Sequence, residues 1–137
     1  MDFSKFEELP DYLSEEILKM YFEQVIDYYE NNGDISKIDL SEAIYQLAER
    51  QWHTYKYLDE KIKDKVDSIV QEILDPNSYE LMDNVTSIIA YLGLSNSFQT
   101  LKEIDSTSLS INVKEVIEET INELDGNIGN PYSGLEE

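Results

Sequence analysis

Residues 14–33 read SEEILKMYFEQVIDYYENNG, and the spacing of their apolar side chains sets the fold class. Ser14 suits an N-cap, because its hydroxyl accepts from a first-turn N–H, and Glu15 and Glu16 sit where the helix dipole favours negative charge. Ile17, Leu18, Tyr21, Phe22, Val25, Ile26 and Tyr29 then recur at three- and four-residue steps. Asn31-Asn32-Gly33 ends the run. The spacing predicts an amphipathic helix.

The same period continues on the C-terminal side. A second helix is expected from near Asp39, where Asp39 and Glu42 have capping-box spacing, with Leu40, Ile44, Leu47 and Ala48 on one stripe. That stripe runs on through Trp52, Tyr55, Leu58, Ile62, Val66, Ile69, Val70, Ile73 and Leu74. One helix of about 35 residues is unusual in a small domain, so a break is expected near residues 53–59. Asp75-Pro76-Asn77 stops the element, since proline disfavours helix at the residue before it and cannot continue one itself.

Beyond the proline the elements shorten. Leu81, Val85, Ile88, Ile89 and Leu92 mark a helix closed by Gly93, and Phe98, Leu101 and Ile104 a shorter one. After the polar stretch Asp105-Ser106-Thr107-Ser108, Asn112 as cap, Glu115 three residues on and Gly126 bound a last helix. Val113, Val116, Ile117, Ile121 and Leu124 form its inner face, and Ile89, Ile117 and Ile121 are expected to be buried. No segment alternates convincingly at period two. The expectation is an all-α single domain of about five to seven helices over residues 1–126, with an irregular tail at 127–137 containing Gly129, Pro131 and Gly134.

Charge narrows the function. The chain has 137 residues, 30 acidic against 10 basic, and a formal charge of −20. Acidity without an apolar pattern would leave a chain disordered, whereas acidity over an ordered helical pattern suits a folded surface facing something basic. Phosphates and anionic lipid headgroups are repelled, so no direct nucleic-acid or membrane binding is expected. With no cysteine, no basic-then-apolar leader and no long apolar run, a cytoplasmic location is expected.

The field is uneven. From Val66 to Glu137 there are fourteen acidic residues and two basic ones, Lys102 and Lys114, while Arg50, Lys56, Lys61, Lys63 and Lys65 cluster earlier. Glu115, Glu118, Glu119, Glu123 and Asp125 are therefore the candidate partner-binding carboxylates, with Tyr132 in the tail. The competing reading is that they form the solvated side of the last helix.

Catalytic parts are sparse. His53 is the single histidine, so a histidine-rich metal site is ruled out, and no Ser-His-Asp or Glu-x-x-His pattern has its context. Arg50, Trp52, Tyr55, Lys56 and Tyr57 have the composition of a nucleic-acid platform, but a helix junction whose rings complete the core explains them better. Asp125, Asn127 and Glu136 match three positions of a calcium loop, yet Asn130 and Pro131 occupy its central turn and no helix can follow. No enzyme activity, cofactor or metal is expected.

Offsetting residues 85–94 by 32 places Val85 on Ile117, Ile89 on Ile121 and Leu92 on Leu124. The segment Tyr79 to Gly126 resembles a HEAT-type helical hairpin and a half, which implies stacked helical pairs presenting one face to a protein. Size, charge, this hairpin and the closing Gly129-Asn130-Pro131-Tyr132-Ser133-Gly134-Leu135 together resemble the small acidic all-helical immunity proteins of bacterial polymorphic toxin systems. That resemblance implies stoichiometric inhibition of a cognate basic toxin by covering its active site. Alternative expectations are a DNA mimic that occupies the phosphate groove of a DNA-binding protein, and an acidic adaptor or chaperone-like module.

Overall fold

Among the described residues, six α-helices form along the apolar stripes: α1 (Glu15–Asn31), α2 (Lys37–His53), α3 (Glu60–Ile73), α4 (Tyr79–Leu92), α5 (Ser95–Lys102) and α6 (Ile111–Leu124). A short 3₁₀ helix, Phe3–Glu8, precedes them and was not foreseen from the sequence pattern. The computed structural model describes residues 3–32, 34–54, 56–105 and 107–125; Gly33, Tyr55, Gly126 and the tail lie outside them. Among the described residues there is no strand, and the fold is one all-α domain.

The caps explain the boundaries. Ser14 accepts from the Ile17 N–H as its position implies. Two caps differ from expectation. Ser36, not Asp39, caps α2 and accepts from the Asp39 N–H, and Ser110, not Asn112, caps α6 and accepts from the Val113 N–H. In both cases a serine that accepts from the third residue onward lies just upstream of the residue assigned from the sequence. α4 is capped by Ser78 and closed by Gly93 at φ 66°, where the Gly93 and Leu94 N–H groups both return to the Ile89 carbonyl and Leu94 is buried.

The break between α2 and α3 is present. The Thr54 hydroxyl turns back to the Gln51 carbonyl, the buried Gln51 amide donates to the Lys56 carbonyl, and Asp59 caps α3. α5 has no cap of its own, because Leu94 occupies its N-cap position. Asp67 of α3 supplies the missing acceptor: its buried carboxylate takes the Asn96 N–H at 3.1 Å and the Ser97 N–H at 2.8 Å.

The helices pair in sequence and stack. α1, α3 and α5 form one layer and α2, α4 and α6 the other, with α1 against α2, α3 against α4 and α5 against α6 between them. α2 and α4 run in one direction, as do α3 and α5. Glu42 lies near Glu80 and Trp52 near Tyr91 across α2 and α4, while Asp67 meets Ser97 and Gln71 meets Thr100 across α3 and α5. α4 and α6 start and end 32 residues apart, so the internal offset corresponds to layer-mates. Packed helix pairs are thus present in the C-terminal half and continue through α1 to α3.

The core fills the space between layers. Leu18, Phe22, Leu40, Ile44, Leu47, Val66, Val70, Ile73, Met82, Ile88, Ile89 and Leu101 are all sealed from solvent. The 3₁₀ helix covers the edge of α2 with Phe6, which is fully buried and meets Tyr21 edge-on at 5.6 Å. Ile89 and Ile117 are buried as expected, but Ile121 is only half-buried, with Thr120 taking the inward position beside it.

Candidate functional site

α6 ends the second layer, with α4 on one side and no further helix on the other among the described residues. The offset of 32 shows how its sequence suits that place. Met82 and Thr86 of α4 are buried, and the matching positions of α6 are Lys114 and Glu118, both exposed. Among the described residues, these charges give α6 a polar edge where α4 has a buried one.

Glu115, Glu119 and Glu123 recur every fourth residue and are exposed on the outward face of α6, and Glu118 lies at its edge. The structure therefore brings four of the expected partner-binding carboxylates onto one helix surface. Asp125 is exposed but engaged, its carboxylate 3.2 Å from the Lys102 ammonium, which also lies over the Phe98 ring. Tyr132 lies outside the described residues, as do Asn127 and Glu136 of the calcium-loop pattern.

Two groups on the outward face of the same layer escaped the sequence reading. Glu42 of α2 is held above the usual carboxylate range by partial burial and by the charges of Glu7, Glu80 and Asp39. Three separate elements thus contribute like charge to one place. One turn on, Tyr45 of α2 and Tyr91 of α4 have ring centroids 6.1 Å apart, and Trp52 lies 5.6 Å from Tyr91. Burial, a hydrogen bond to Glu49 and the Glu49 charge push Tyr45 up to about 12, and burial with the same charge raises Tyr91. Glu42, Tyr45, Glu49 and Trp52 do recur at helical steps beside the core stripe of α2. What the sequence lacks is the placing of α4 against them.

The residues weighed for a nucleic-acid platform do not form one surface. Arg50 is buried, and its guanidinium donates to the carbonyls of Leu9, Pro10 and Gln46 and to the Gln46 side chain, fastening the segment before α1 to α2. His53 Nδ1 lies 2.9 Å from the Asp11 carbonyl in the same joint. Trp52 is half-buried against Tyr91, Tyr57 is exposed, and Tyr55 lies outside the described residues. Among the described residues, no three His, Cys, Asp or Glu side chains are grouped to hold a metal ion, and no helix is long and apolar enough to cross a membrane.

The opposite layer carries a groove of ≈ 870 Å³ between α1 and α3, with Met20, Ile26 and Ile62 among its lining. Its rims are bridged by Lys19 to Asp59 at 3.8 Å and Lys65 to Glu30 at 3.9 Å. Here opposite charges are interleaved, so the groove has no single sign to offer a ligand. No family model, curated protein or solved structure matches the chain.

Proposed function

We propose that this protein is a non-catalytic inhibitor that binds a basic protein through the outward face of α2, α4 and α6, and that it acts as an immunity protein against a cognate toxin domain. The observation that carries the proposal is the alignment of Glu115, Glu119 and Glu123 on the open face of α6, with Glu118 beside them. The like-charged group around Glu42 and Glu80 lies on the same layer. A surface of one sign on rigid helices draws an oppositely charged partner over a Debye length of roughly 8 Å at physiological salt and raises the rate of productive encounter.

The second layer suits such a role because its helices are fixed by the core, so the carboxylates are presented without a folding cost at binding. The test is co-expression with the neighbouring toxin gene in a sensitive cell, followed by gel filtration. Protection together with a stable one-to-one complex is the expected result. No protection and no complex would end the immunity reading, and protection lost on adding a DNA-binding partner of another pathway would favour the DNA mimic.

A further inference from the structure

The α6 glutamates are exposed, and exposed charges govern encounter more than they govern how long a complex lasts. Lasting complexes are anchored by aromatic side chains near the middle of a contact, where water is excluded. Among the described residues, the outward face of the second layer has such a place. Tyr45, Glu49 and Trp52 lie along α2 at steps of four and three residues, and Tyr91 reaches them from α4, 6.1 Å from Tyr45 and 5.6 Å from Trp52 by ring centroid. All four side chains are half-buried, so each keeps part of its surface in solvent. The half-buried carboxylate of Glu49 stands within electrostatic reach of both tyrosines.

We infer that the Tyr45–Glu49–Trp52–Tyr91 cluster is the anchor point for an arginine side chain of the basic partner. The inference rests on the protein-binding reading above and adds to it a place and a residue type. A planar guanidinium stacks on aromatic rings while donating to a carboxylate, and it sheds water more easily than an ammonium does. Both halves of that recognition are present within one helical turn, and the carboxylates around Glu42, one turn away on α2, carry the sign an arginine requires.

Trp52 is the single tryptophan, so its fluorescence reports on this cluster directly. The experiment titrates the full chain at physiological salt with a nine-residue arginine peptide and, separately, with a lysine peptide of equal length. The expected result is a saturable change in Trp52 emission, tighter for arginine than for lysine. Glu49→Gln and Tyr91→Leu, each checked for retained helicity, should weaken the arginine peptide by about tenfold, the scale of a partly desolvated cation–π contact. Glu115→Gln with Glu119→Gln should weaken binding at low salt and leave the emission change at saturation intact. Peptide binding without a Trp52 response, or equal affinity for the two peptides and for both central variants, would overturn the anchor. Failure here with toxin protection intact removes only this inference, whereas loss of toxin protection removes the function beneath it.

Discussion

Asp67 shows how one side chain fixes the relation of two helices. Its carboxylate occupies the N-terminus of α5, where the chain itself supplies Leu94 and no capping oxygen. Asp67→Ala leaves the buried Ser97 N–H without its acceptor, and equilibrium denaturation should show a loss of about 2 kcal/mol, the scale for an unsatisfied buried donor. Glu42 works in the other direction. Its pKa is raised above 4.5 by burial and by Glu7, Glu80 and Asp39, so the charged form at neutral pH is a cost to the fold. Glu42→Gln should raise the melting temperature at neutral pH by an amount equivalent to roughly a few tenths of a kcal/mol, as screened surface charges do. The gain should fade as the pH falls through the raised pKa, where Glu42 takes up its own proton. Tyr29 and Tyr45 respond at the opposite end of the scale. Both are raised from 10.0 to about 12, Tyr29 first by its hydrogen bond to Glu72 and Tyr45 first by burial. Their contribution to stability is present below pH 10 and lost as the pH rises towards 12, so ultraviolet titration should show these phenols ionising late and together with unfolding.

At the scale of elements, the stack makes a ranking that mutation can check. Ile89 of α4 and Ile117 of α6 are buried, and truncation to alanine should cost about 2–5 kcal/mol each. Ile121→Ala should cost clearly less, because that side chain is half-buried where the stack ends. Equal losses at all three positions would contradict the placing of α6 at the edge. Much of this was legible in the chain. Apolar spacing located α1, the break between α2 and α3, and the stop before Pro76, because each depends on local chemistry. The capping serines Ser36 and Ser110 were missed for nearby residues of similar propensity, and Asp67 was missed because its partner lies thirty residues away. The α6 carboxylates could be read from periodicity alone. The Tyr45–Tyr91 pairing could not, since nothing in α2 says which face of α4 will lie beside it.

At the scale of the whole molecule, a charge of −20 surrounds an apolar core, and the exposed glutamates of α6 are not among the groups that hold that core together. Glu118, Glu119 and Glu123 are exposed and off the apolar face of α6, so reversing all three to lysine should leave helicity and cooperative unfolding intact. The same reversal should alter the field that a basic partner meets on approach. Packed layer-mates give that field a fixed outline across α2, α4 and α6, while the opposite layer mixes its signs in the α1–α3 groove. The most direct measurement is the association rate with the neighbouring toxin domain as a function of salt, for the wild-type chain and the triple reversal. The account predicts a fast wild-type rate that falls steeply with salt, and a slower, flatter dependence for the variant. A rate indifferent both to salt and to the three reversals would contradict it.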